Sequence, residues 1–128
     1  MGQQQLLLIS LGIIIVGVAI IVGINLFSAS SVQANRDALI SDMTEIAAMA
    51  QAYYRKPIAL AGGSYRFTGF TIPTPLRTND NGRYTVTVAA QRLTLVGRGK
   101  EKGNNGRTVI RMTMVVSPYN IVSVKINN

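Results

Sequence analysis

The feature that most constrains this chain is an uncharged, apolar segment close to its N-terminus. The segment from Leu6 to Phe27 spans 22 residues without a charged side chain, and its only polar side chains are Ser10 and Asn25. As a helix rising about 1.5 Å per residue it would be about 33 Å long, which is enough to cross a bilayer core of about 30 Å. A core helix of a soluble protein would carry a polar face, and this segment has none. It therefore predicts a single helix able to anchor the chain in a membrane.

The helical pattern continues beyond this segment, because neither Pro nor Gly occurs between Ile24 and Lys56. Apolar residues recur there at steps of three, four and seven, as they do along one stripe of an amphipathic helix. This packing stripe is expected to bury itself on the rest of the chain and consists of Val32, Leu39, Met43, Ile46, Ala50 and Tyr53. Pro57 ends the pattern. The sequence thus predicts one helix from about residue 3 to 55, with an apolar half (1–28) and an amphipathic half that belongs to a head (29–128).

The remainder of the head is predicted to form a small antiparallel sheet. Apolar and polar residues alternate, with many Thr and Val, in four segments: 83–90, 91–98, 107–117 and 120–127. Turns are expected at Gly99 to Gly106 and at Ser117-Pro118, and Ser64 to Ile72 is a candidate for a further short strand. A few strands alone are not stable, and the packing stripe is the available cover for their apolar face. The predicted fold class is therefore α+β, with the second half of the long helix packed on about four strands.

The residue types present argue against catalysis. The chain contains no His and no Cys, which excludes disulfides, imidazole or thiolate metal sites, and Ser-His or Cys-His catalytic arrangements. It has five carboxylates, and no motif pairs them as an acid and a base. We therefore expect neither enzymatic activity nor a cofactor or metal.

The charge is strongly basic, with 13 Lys and Arg against 5 Asp and Glu. Six basic residues of the predicted sheet are candidates for weak, non-specific contact with DNA or other polyanions: Arg92, Arg98, Lys100, Lys102, Arg107 and Arg111. Aromatic residues do not interleave with them, so sequence-specific binding is not expected. The favoured alternative is a solvated basic face or one that pairs with neighbouring subunits.

A long N-terminal helix, apolar and then amphipathic, followed by a small antiparallel sheet resembles the type IV pilin family. The residues that carry the resemblance lie between Met1 and Tyr54. In that family a peptidase removes a short basic leader and the mature chain commonly begins with Met or Phe, so Met1 fits as the first mature residue. The chain departs from the family at Gln5, where Glu is usual, in having no Pro near Val22, and in lacking a C-terminal Cys pair.

The resemblance implies a structural subunit of an extracellular, type IV pilus-like filament used in adhesion or motility. The subunit would be anchored in the inner membrane before pilus assembly machinery adds it to a homopolymer. The residues expected to form the filament core, here called the assembly set, are Met1, Gln5, Leu6, Leu7, Leu8, Leu11, Ile14, Val18, Ile21 and Phe27.

A second class of function stays open at this point. The chain is alternatively a membrane-anchored minor pilin or pseudopilin-like component, or an unrelated single-pass membrane protein. The two classes differ in whether the apolar helix packs against copies of itself or lies in lipid. Apolar residues expected on the outer face of the sheet favour polymerisation, because they give that face something to bury: Val96, Val109, Val115 and Ile121.

Overall fold

One unbroken helix, α1, runs from Gly2 to Arg55 and dominates the shape of the molecule. The structure is a computed structural model, and it describes residues 2–127. A short 3-10 turn (Ile58–Leu60) and a four-residue helix, α2 (Thr74–Arg77), follow α1. The strands are β1 (Gly82–Val88), β2 (Leu93–Lys102), β3 (Val109–Val116) and β4 (Ile121–Ile126). The predicted α+β layout, one long apolar N-terminal helix and a four-stranded antiparallel sheet, is confirmed.

The sheet is a simple meander in which the strands follow one another in the order β1-β2-β3-β4, each antiparallel to the next. One row of directly paired residues crosses all four strands and fixes the register: Tyr84, Gly97, Met112 and Ile126. The pairing is irregular between Arg98 and Lys102 of β2 and between Val115 and Val116 of β3. Because side chains alternate between faces, every second residue of β1, β2 and β3 points towards α1.

The hydrophobic core lies between the second half of α1 and the sheet. Its buried residues on α1 are Leu39, Met43, Ile46, Ala47, Ala50 and Tyr54. The sheet contributes Tyr84, Leu93, Leu95, Ile110, Met112, Met114 and Val116, and the connection before β1 contributes Phe67, Phe70 and Ile72. Within residues 2–127, no buried core residue precedes Leu39, so the core belongs to the head alone.

The segment from Ser64 to Ile72 is not a strand, so that expectation was wrong. Ser64 and Tyr65 have positive φ angles of 47° and 66°, which a strand does not allow. Their backbone N–H groups instead donate to carbonyl groups at the end of α1, Ser64 to Lys56 at 2.9 Å and Tyr65 to Tyr54 at 2.7 Å. The last carbonyls of a helix have no partner within the helix, and this segment satisfies them.

The expected turn from Gly99 to Gly106 was wrong in its first half, because β2 continues to Lys102. The reversal lies between Gly103 and Thr108, where the Gly103 N–H donates to the Thr108 carbonyl at 2.9 Å. Gly99 lies within β2, where it allows close packing of α1 and does not form a turn. A Cβ atom at Gly99 would lie 2.2 Å from the Asn35 Oδ1 atom, so any other residue would displace the Asn35 side chain where α1 approaches the strand this closely.

Candidate assembly interface

The first half of α1 projects from the head with its apolar side chains bare. Every large apolar side chain from Leu6 to Phe27 is exposed, from 49% at Val22 to 75% at Phe27. By length and composition α1 is able to cross a membrane. No part of its most apolar stretch of 18 residues is buried in the structure. The segment therefore presents an uncovered surface on all sides, and that surface is the candidate assembly interface.

The structure describes every member of the assembly set except Met1, which lies outside the described residues. All nine described members are exposed: Gln5, Leu6, Leu7, Leu8, Leu11, Ile14, Val18, Ile21 and Phe27. They do not form one stripe, because Leu6, Leu7 and Leu8 are consecutive and point in three directions. Around Gly12, Gly17 and Gly23 an added Cβ would meet nothing within 4 Å. These glycines thus leave shallow places where another helix can approach closely.

The packing stripe lies on the side of α1 that faces the sheet. Leu39, Met43, Ile46 and Ala50 are fully buried, whereas Val32 and Tyr53 are partly buried against the edge of the core. Sequence periodicity did not identify Ala47 or Tyr54, which are also buried. Tyr54, the neighbour of the expected Tyr53, is the tyrosine that enters the core, where its ring centroid lies 5.0 Å from that of Phe67.

A polar cluster around Asp42 fixes α1 to the start of the sheet. The carboxylate oxygen Oδ2 of Asp42 accepts hydrogen bonds from the Tyr84 hydroxyl at 2.5 Å and from the Asn79 and Asn81 side-chain amides, both at 2.9 Å. Partial burial raises the pKa of Asp42, but these three hydrogen bonds outweigh it and hold the pKa below its ordinary value of 3.8. Burial, together with the bond to Asp42 and its negative charge, raises the pKa of Tyr84. The cluster is therefore a charged acceptor with three neutral donors, and it fixes the position of the head along α1.

Asn35 forms a second polar link, one turn before the core begins. Its amide nitrogen donates to the Asn81 carbonyl at 2.9 Å, and its Oδ1 atom accepts from the backbone N–H groups of Lys100 at 3.1 Å and Glu101 at 3.3 Å. Neither the Asp42 cluster nor the Asn35 link was predicted from the sequence. The sequence does contain one indication of them. Gly97 and Gly99 occupy the alternate positions that follow Leu93 and Leu95 on the inner face of β2, and glycines there mark where α1 lies close to the strand.

The six candidate polyanion residues do not form one cluster. Arg98, Lys100 and Lys102 lie on β2 and Arg111 lies on β3, whereas Arg92 and Arg107 lie in the turns before β2 and before β3. Arg98 is directly paired with both Arg83 and Arg111, so three arginines form a row across three strands. Like charges directly opposite each other destabilise a sheet, so this row favours anions nearby. Contact with polyanions stays a prediction.

Comparison of the chain with protein-family models, with curated proteins and with solved structures returns no match. Within residues 2–127, no group of three or more Asp and Glu side chains is placed to hold a metal ion.

Proposed function

We propose that this protein is the structural subunit of an extracellular, type IV pilus-like filament, in which copies pack through the first half of α1. The observation that carries the proposal is that Leu6 to Phe27 is apolar and exposed on every side of a helix whose other half is packed into a head. Fully burying one Val, Leu or Ile side chain stabilises by about 1.5–3 kcal/mol, so water alone is not a stable environment for this segment.

Because the first half of α1 has apolar surface on all sides that needs to be covered, a polymer is favoured over a closed dimer. A helix with one apolar stripe is satisfied by one partner, whereas α1 offers apolar surface in every direction and can contact several copies at once. Head-to-tail contacts that do not close on themselves produce helical filaments. In a membrane the same helix is covered by lipid, and Gly12, Gly17 and Gly23 allow the close helix approach that replaces lipid by protein.

The confinement of the hydrophobic core to the head supports the same proposal. The packing residues of the core begin at Leu39, so the head does not depend on the first half of α1 for its own folding. Ile121 is paired with the buried Val116, so it points to the core side of the sheet, and its expected place on the outer face was wrong. The apolar residues that do lie on the outer face are incompletely buried: Val109 is 41% exposed, and Val96 and Val115 are partly buried. Contacts between neighbouring heads would cover them, and a lone membrane anchor would not.

The test compares the full chain with the head fragment 29–128. The full chain is purified in detergent, the detergent is removed by dialysis, and both samples are examined by negative-stain electron microscopy. We expect filaments from the full chain, because removing detergent leaves other copies as the remaining cover. The fragment should stay a folded monomer by size-exclusion chromatography and circular dichroism.

Two results would contradict the proposal. If the full chain inserts into liposomes as a monomer and never yields filaments, the protein is a single-pass membrane protein, the alternative stated above. If the head fragment forms filaments by itself, assembly lies in the head, and the first half of α1 has another purpose.

A further inference from the structure

The sheet face that α1 covers continues beyond α1 onto β4, where it is uncovered. Val124 is paired with Met114, and Ile126 is paired with Met112, so these residues point to the same side as the core. Met112 and Met114 are essentially inaccessible, yet Val124 is 44% exposed and Ile126 is 50% exposed. Val122, two residues before Val124 and next to the irregular pairing between Val115 and Val116, is 55% exposed. These three residues are here called the β4 strip.

The position of α1 over the sheet sets the width of the uncovered surface. α1 lies closest to β2, because Cβ atoms added at Gly97 and Gly99 would collide with Met43 and Asn35 of the helix. Adjacent strands are about 4.8 Å apart, so β4 lies about 9.6 Å to one side of β2. Packed helices lie about 8–10 Å apart. A second helix packed beside α1 would therefore lie directly over the β4 strip.

We propose that the β4 strip is the docking surface for the apolar half of α1 from another copy of this chain. This inference rests on the proposed function and specifies one of its contacts. The β4 strip has no charged side chain, and residues 2–35 of α1 have none either, so the contact buries no charge. Both surfaces are apolar, both are exposed, and the spacing of helices on a sheet places them together.

The contact also fixes the stagger between the two copies. Gly97 lies against Met43 and belongs to the row that ends at Ile126, and the Gln51 side chain donates to the Ser117 carbonyl beside β4 at 3.2 Å. The β4 strip therefore lies level with residues 43–51 of its own helix. To place Leu6 to Phe27 at that level, the second copy must be displaced along α1 by about 36–56 Å, at about 1.5 Å per residue.

Disulfide cross-linking in assembled filaments tests the contact, and the chain has no native cysteine to interfere. Val124→Cys is combined in the full chain with one further cysteine, stepped through positions 11 to 23. Its own α1 segment cannot reach Val124, because residue 23 lies about 30 Å below Met43 along the helix. Each cross-link therefore joins two copies. The matched control is Ser123→Cys, on the opposite face of β4.

We expect Val124→Cys to give a ladder of cross-linked species on a non-reducing gel, at helix positions three or four residues apart. Ser123→Cys should give at least tenfold less product. Filaments that form normally but show no cross-link from Val124→Cys to positions 11–23, or link only Val124→Cys to itself, would overturn this inference and leave the proposed function standing. If the unmodified chain forms no filaments, the proposed function fails and the inference fails with it.

Discussion

At the scale of single residues, the Asp42 cluster is the most informative feature of the head. Asp42 accepts three hydrogen bonds from Tyr84, Asn79 and Asn81 through one carboxylate oxygen. Hydrogen bonds to charged groups contribute about 1.5–3 kcal/mol, more than those between neutral groups. The cluster connects α1 to the turn before β1 and to β1 itself, so it determines how the helix and the sheet are aligned.

The lowered pKa of Asp42 predicts how the stability of the head depends on pH. A carboxyl group with a folded-state pKa below its unfolded value stabilises the fold above the unfolded value, and this contribution is lost as the pH falls through the folded value. We expect the melting temperature of the head to fall between pH 6 and pH 3, and Asp42→Asn to remove part of that dependence. At neutral pH, Asp42→Asn should lower the free energy of unfolding by about 1–3 kcal/mol.

Circular dichroism melts of the fragment 29–128 at both pH values measure this effect. Asp37→Asn is the matched control, because Asp37 is a carboxylate on the exposed side of α1 whose hydrogen-bond donor, Gln33, lies on the same helix. If Asp42→Asn and Asp37→Asn alter the pH dependence equally, the cluster around Asp42 does not stabilise the head.

Such clusters are difficult to predict from a sequence. Asp42 lies at the polar border of the packing stripe, and its partners lie 37 to 42 residues further along the chain. Local periodicity indicates on which face of the helix a residue lies. It does not indicate which polar group from a distant part of the sequence contacts that residue. Leu39, Met43, Ile46 and Ala50 of the stripe are buried as the spacing of apolar residues along the helix indicates, because burial of one helix face depends on that spacing alone.

At the scale of elements, the approach of α1 to β2 depends on two glycines. Gly99 was expected in a turn, since glycine marks turns more often than close packing. In the structure it lies within β2 and leaves room for Asn35 and Leu39 of α1. The alternating pattern did predict four strands, because it follows from exposure of one sheet face. It did not predict where β2 ends, which tertiary packing against α1 decides.

We therefore expect Gly99→Ala to destabilise the head. The added Cβ would lie 2.2 Å from the Asn35 Oδ1 atom, so Asn35 must move and lose its bonds to Lys100 and Glu101. The cost should be about 2–3 kcal/mol, in the range of overpacking substitutions. Chemical denaturation of the full chain in detergent measures it, with Gly17→Ala as the control because nothing lies within 4 Å of that position. Equal stabilities of the two variants would show that α1 does not pack as closely on β2 as described.

At the scale of the whole molecule, the chain divides into a head with a closed core and a projecting helix without any cover. The long apolar helix and the four-stranded sheet were predictable, because a run of 22 uncharged residues and an alternating pattern each extend over many residues. The uncovered β4 strip was not predictable. All four strands alternate in a similar way, and the sequence does not tell how many of them one helix covers.

The continuity of α1 is also a property of the whole molecule. No Pro interrupts α1, and each glycine costs only about 1 kcal/mol relative to alanine in a helix. Unwinding several residues in a dry filament core would leave backbone groups unpaired, at about 1–3 kcal/mol each. We therefore expect the helix to stay continuous between Gly12 and Asn25 after assembly, as it is in the isolated chain.

The most direct test of the central claim is an image reconstruction of filaments assembled from the full chain. The account predicts a core of bundled, continuous helices along the filament axis, with Leu6 to Phe27 packed against copies of the same segment and the heads outside. A filament whose axis is built from stacked heads, with the apolar half of α1 projecting into detergent or lipid, would contradict it.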